Sequence, residues 1–154
     1  MKTILFVCTG NICRSPMAAG LLQQRLSEDP KRQDWRGVAA GPWASEGRPP
    51  SAYAVAEMAE REIDISAHRS RRVTERLMKQ ADLVLVMTRN HAEALRVTFP
   101  DHADKVYMLS EMVGKTYDIA DPYGGTRLEY SYIAQELEQL IDEGYERIVS
   151  LTEE

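Results

Sequence analysis

Four short apolar runs are spaced along the chain with longer amphipathic stretches between them, and that spacing constrains the fold more than any other feature. The runs are Thr3–Val7, Gly37–Ala40, Asp82–Met87 and Lys105–Leu109. Short buried runs alternating with helical patterns point to βαβ units and a parallel sheet. The helices are expected in the gaps. From Met17 to Leu26, the residues Met17, Leu21, Leu22 and Leu26 share a face, and Pro16 suits a first helical position. Ser51 is expected to cap a helix running to about Glu62, with Ala52, Val55 and Ala59 inward. Thr74 and Thr88 are candidate caps for short helices near Leu77 and Leu95. A final helix is expected from Arg127 to Ser150, striped by Ile133, Leu137, Leu140, Ile141 and Ile148, with Gly144 expected to kink or loosen it. The fold class that follows is α/β. A single domain over residues 1–154 holds a four-stranded parallel sheet with helices on both faces, a flavodoxin-like, Rossmann-type three-layer arrangement.

A sheet of that kind binds ligands at the carboxyl ends of its strands. Cys8 stands just past the first run, in the segment Val7-Cys8-Thr9-Gly10-Asn11-Ile12-Cys13-Arg14-Ser15-Pro16. A strand ends there and a helix begins near Ser15 or Pro16. The loop between them can turn its N–H groups inward as an anion nest, reinforced by the positive end of the helix dipole. Gly10 permits a backbone conformation closed to other residues, and Asn11 tolerates a left-handed one better than most. Arg14 offers a planar fork for two phosphate oxygens. These surroundings favour the thiolate form of Cys8, with Ser15 placed to donate a hydrogen bond to it. A thiolate inside an oxyanion cradle suits in-line attack on a phosphate monoester. Cysteine, glycine, arginine and hydroxyl in this working order say more than Cys-x5-Arg alone, which otherwise marks a buried small residue.

Bulk properties narrow the function further. The net charge of −5 argues against a broad nucleic-acid footprint, so an anionic substrate has to be held by local positive groups. The opening apolar run is too short for a signal-peptide core or a membrane span, and a cytoplasmic location is expected. The only cysteines are Cys8 and Cys13, which do not make an extracellular disulfide framework. With His68, His91 and His102 they form no metal-ligand pattern, so no metal or other cofactor is expected. A proton donor for the leaving oxygen is needed as well. Asp118 and Asp121 both lie in the stretch 117–125, which reads as a loop before the last helix.

The segment from Val7 to Pro16 resembles the signature of the low-molecular-weight protein tyrosine phosphatases. The resemblance extends over nearly the whole chain: Ala40-Gly41, His68-Arg69-Ser70-Arg71, Ala81 to Met87, and Asp121-Pro122-Tyr123. It implies Cys8 as nucleophile, Arg14 and the loop residues Thr9, Gly10, Asn11, Ile12, Cys13 and Ser15 as the phosphate site, and Asp121 as general acid and base, with Asp118 secondary. It implies that Asn11 holds the loop's shape and that His68 supports it. Tyr123 matches an aromatic that lines the family's cleft, and Trp43 lies where the family presents an aromatic wall, though its offset from Gly41 departs from the common pattern. Gly124 stands where many members carry a second tyrosine. The resemblance also implies a reversible Cys8–Cys13 disulfide under oxidation, whereas the absence of later cysteines excludes the arsenate-reductase thiol relay. The expected partners are phosphotyrosine proteins, among them a tyrosine kinase. Protein-arginine phosphatase is the nearest alternative, and Ile12, where that subgroup tends to carry threonine, favours phosphotyrosine. A redox sensor or phosphate-binding module without turnover is the reading from a different class.

Overall fold

The computed structural model describes residues Met1–Glu154. Its strands are β1 (Thr3–Val7), β2 (Arg36–Ala40), β3 (Leu83–Val86) and β4 (Val106–Met108). All pair in parallel, in the order β2-β1-β3-β4. Period-two alternation sends Ile4 and Phe6 to one face of β1 and Leu5 and Val7 to the other. In β3, Leu83 and Leu85 likewise part from Val84 and Val86. A strand with both faces apolar must be covered on both sides. Helices α1 (Arg14–Ser27), α2 (Ala52–Ala59) and α5 (Arg127–Glu153) cover one face. Helices α3 (Glu75–Gln80) and α4 (Arg89–Thr98) cover the other. The α/β architecture is the one expected from the spacing of the apolar runs. No helix is long and apolar enough to cross a membrane.

Local chemistry explains most element ends, and it corrects several expectations. Thr74 and Thr88 do cap their helices, accepting from the N–H groups of Leu77 and His91 at 3.2 Å each. Helix α1 starts at Arg14, two residues before Pro16, which therefore occupies the third helical position, where its missing N–H still costs no intrahelical bond. Ser51 precedes α2 but makes no capping bond. That helix ends at Ala59 and buries Ala54, Glu57 and Met58, with Val55 half-buried against the same core as expected, whereas Ala52 and Ala59 are exposed. The face is rotated toward Glu57, whose burial is offset by its partners: its carboxylate takes Arg127 at 2.6 Å, Ser131 at 2.7 Å and Arg61 at 3.3 Å. Gly144 does not interrupt α5, which runs on to Glu153. A Cβ there would lie 2.6 Å from Met112 Cβ, so the glycine permits close helix packing instead of loosening the helix.

The chain leaves β1, passes through α1 to β2 on one side, then crosses to β3 on the other. The order reverses at the carboxyl end of β1, the usual place for a ligand in such sheets. Val7 is level with Ala40 and Val86 in the register. Cys8, Gly41 and Met87 therefore emerge side by side.

Candidate active site

The segment from Cys8 to Arg14 curls at this edge and lines a cleft of about 200 Å3 with Cys8, Thr9, Gly10, Ile12, Cys13 and Arg14. Arg48, Asp121 and Tyr123 complete the lining. Asn11 takes the left-handed backbone that its residue type tolerates, with φ 58°. The side chain of Asn11 holds it there. Its Oδ1 accepts from Arg71 N–H at 3.0 Å, so its Nδ2 faces Ser15 Oγ at 2.8 Å. His68 Nε2 donates to the Asn11 carbonyl at 2.8 Å. Burial, with the nearby Arg71 and Arg69, holds His68 below the usual imidazole range despite that bond. Beneath the loop, a Cβ on Gly41 would lie 2.5 Å from the Cys8 carbonyl oxygen and 2.8 Å from that of Thr9. Only glycine lets the end of β2 approach so closely.

The environment of Cys8 follows from these contacts. Cys8 Sγ receives the Ser15 backbone N–H at 3.3 Å, an orphan donor of the first turn of α1. Ser15 Oγ lies 3.0 Å from the same sulfur. Because Asn11 Nδ2 can only donate, it occupies a lone pair of Ser15 Oγ and leaves the hydroxyl hydrogen for Cys8. Asn11 and Ser15 are fully buried and stand behind the cleft wall, shaping it without lining it.

Arg14 is 3% exposed and ties the site together. Its NH1 donates to the Ile119 carbonyl at 2.6 Å and its NH2 to Thr9 Oγ1 at 3.3 Å. The same NH2 lies 3.5 Å from Asp121 Oδ2, while Nε, also buried, has no hydrogen-bond partner within the chain. Asp121 Oδ1 accepts the Tyr123 N–H at 3.0 Å, which aims the half-exposed carboxylate across the cleft. Asp118 instead accepts from Arg89 N–H at 2.9 Å, at the start of α4. Ile119 N–H bonds the Met87 carbonyl at 2.9 Å, pinning this loop to the end of β3.

The remaining expected residues divide. Tyr123 lines the cleft and is 60% exposed. Trp43 is not among the lining residues; it lies outside, 55% exposed, with its ring centroid 6.0 Å from that of His91. Its loop is held by the Trp43 N–H to the Thr9 carbonyl at 3.3 Å, which turns the ring toward α4. Cys8 and Cys13 are both free thiols. Cys13 Sγ contacts Tyr130 Oη at 3.3 Å and Ser51 Oγ at 3.5 Å. Burial pushes the Cys13 thiol up, and burial with the Cys13 contact pushes Tyr130 up to about 12.

Three participants escaped the sequence reading. Arg48 lines the cleft from the loop before α2. Tyr130 reaches Cys13 from α5. His91 Nε2 lies 2.9 Å from Thr9 Oγ1. Burial and the Arg14 guanidinium push His91 down to about 4, against the opposing pull of Asp118 and Asp121. The spacing Thr88-x-x-His91 was a usable signal, since it is the spacing of a capping box with histidine in the usual glutamate position.

Comparison with known proteins finds relatives over nearly the whole chain. The family model described as low molecular weight phosphotyrosine protein phosphatase matches residues 3–150. A protein-arginine-phosphatase of Geobacillus stearothermophilus is 40% identical over 146 residues, covering 94% of this chain and 95% of its own. A probable low molecular weight protein-tyrosine-phosphatase, EpsP, of Ralstonia nicotianae is 38% identical over 151 residues, covering 98% and 99%. The crystal structure of a low molecular weight protein tyrosine phosphatase from T. tengcongensis superposes with a TM-score of 0.89 at 42% identity, covering 96% of this chain and 99% of that one.

Proposed function

Because the chain belongs to the low molecular weight phosphotyrosine protein phosphatase family, we propose that it hydrolyses protein phosphotyrosine through a cysteinyl-phosphate intermediate. One observation carries the assignment of roles. Cys8 Sγ is held by the N–H and hydroxyl of Ser15, in a cleft that Arg14 and Asp121 also line. The Cys8 thiolate attacks phosphorus as the bond to the phenolic oxygen breaks, and Asp121 gives its proton to that oxygen. Arg14 and the loop amides hold the equatorial oxygens. Water then attacks phosphorus, its proton passes to Asp121, and Cys8 departs as a thiolate. Ile12 and Tyr123 supply apolar and aromatic wall for the ring. In this reading residues 1–154 act as one domain in the cytoplasm, on phosphotyrosine proteins that include a tyrosine kinase. Cys13 is a resolving thiol that forms a disulfide with Cys8 once peroxide has oxidised Cys8 to the sulfenic acid, releasing water.

Phosphoarginine is the second substrate reading, favoured by the 40% identity to a protein-arginine-phosphatase. Against it stands Arg48, a second cation among the lining residues, whose charge disfavours the guanidinium of a phosphoarginine. Hydrolysis of an aryl phosphate and of phosphoarginine by wild type and Cys8→Ser, with chelator present, tests both. Wild-type turnover of the aryl ester, abolished in Cys8→Ser, is expected. Faster phosphoarginine turnover overturns the substrate, and no turnover of either overturns the enzyme.

A further inference from the structure

We infer that His91 is a positioning residue that turns the Thr9 hydroxyl into a fixed hydrogen-bond donor for the phosphoryl group. The inference rests on the phosphatase reading and adds two residues to its machinery. The Thr88 backbone N–H lies 3.2 Å from His91 Nδ1. A backbone N–H can only donate, so Nδ1 carries the lone pair and a neutral ring keeps its proton on Nε2. Burial and the Arg14 guanidinium keep that ring neutral. The Nε2–H then donates to Thr9 Oγ1 at 2.9 Å.

Arg14 NH2 donates to the same oxygen at 3.3 Å. A hydroxyl has two lone pairs and one hydrogen. With both lone pairs occupied, the Thr9 hydrogen is the only free valence left at that oxygen. Thr9 lines the cleft, and the guanidinium touching it also approaches Asp121 at 3.5 Å. The hydroxyl is thereby aimed at the space where phosphoryl oxygens sit between Arg14 and the acid. A donor fixed before the reaction needs no reorientation as negative charge builds on those oxygens. Trp43, its ring 6.0 Å from the imidazole, stands over the relay and not in the substrate cleft.

The test is a mutant cycle in the full-length enzyme. Its readouts are kcat and KM for an aryl phosphate and, independently of turnover, the affinity for orthovanadate by calorimetry. Thr9→Val keeps the shape and removes the hydrogen, so kcat is expected to fall about 10- to 100-fold with little change in KM, and vanadate binding to weaken. Thr9→Ser is expected to restore most of both. His91→Gln, which can accept from Thr88 and donate to Thr9, is expected to recover most of the kcat that His91→Phe loses. His91→Phe is expected to lose kcat alone but to add nothing in the Thr9→Val background. Equal kcat and vanadate affinity in Thr9→Val and wild type overturns the inference, as do His91→Phe and Thr9→Val losses that multiply. Should His91→Phe fail to fold, the two Thr9 variants decide. Should wild type lack turnover, the phosphatase reading fails and vanadate affinity alone judges the relay.

Discussion

Replacing Ser15 by alanine separates two tasks that one oxygen performs. Ser15 Oγ accepts from Asn11 at 2.8 Å and donates to Cys8 Sγ at 3.0 Å. The bond to sulfur is made to a charged acceptor in the thiolate, and such bonds contribute about 1.5–3 kcal/mol. At about 1.36 kcal/mol per decade of rate, its loss lowers kcat roughly 10- to 150-fold. The Ser15 backbone N–H, 3.3 Å from the sulfur, remains and prevents complete loss. The other task concerns stability. Asn11 is fully buried, and alanine leaves its Nδ2 without a partner at about 1–3 kcal/mol. For a domain of this size each kcal/mol lowers Tm by about 2–4 °C. Steady-state and burst kinetics with an aryl phosphate measure the first effect, and thermal unfolding the second. A Ser15→Ala enzyme with lowered Tm but unchanged kcat would falsify the assignment of the hydroxyl hydrogen to Cys8.

Three further outcomes are expected. Asp121→Ala should lower kcat about 100-fold or more for poor leaving groups and much less for nitrophenolate; equal losses along a leaving-group series would exclude Asp121 as the acid. Burial raises Glu57, but bonds from Ser131, Arg127 and Arg61 outweigh it and leave its carboxyl below the usual range. Its folded value is depressed, so its stabilisation is complete above about pH 4.3, the ordinary value of an unfolded glutamate, and fades as pH falls through the folded value. Denaturant unfolding of Glu57→Gln should thus show a deficit of about 1–3 kcal/mol at pH 7 that shrinks in acid; a deficit that grows in acid contradicts the sign. Gly41→Ala should unfold earlier and lose activity, because its Cβ meets two loop carbonyls and overpacking costs about 1–3 kcal/mol; an active variant of normal Tm would refute the close approach.

The sheet was legible because its strands are apolar on both faces, and Leu83-Val84-Leu85-Val86 leaves no other placement. The Cys8 loop was legible because all its working groups are local in sequence. Failures arose where distant residues decide. Periodicity alone could not show that Glu57 turns inward to meet Arg127 seventy residues away, or that Gly144 meets Met112. Asn11 takes the left-handed position that its residue type tolerates, and its side-chain bonds to Arg71 and Ser15 fix it there. His91 was hidden for a different reason. Its spacing from Thr88 describes a helix cap, and only the tertiary fold shows that its second nitrogen reaches Thr9.

The Arg14–Ile119 bond spans 105 residues of sequence, and this has a consequence for synthesis. At about 5–20 residues per second, the Cys8 loop leaves the ribosome roughly 5–20 s before the segment that carries Asp121, the acid of the proposed mechanism. Arg14 and Cys8 must wait through that interval without Asp121, and α5, which packs Tyr130 onto Cys13, arrives later still. On the proposed mechanism, competence for proton transfer is therefore a late event in the life of each molecule, gated by the last quarter of the chain.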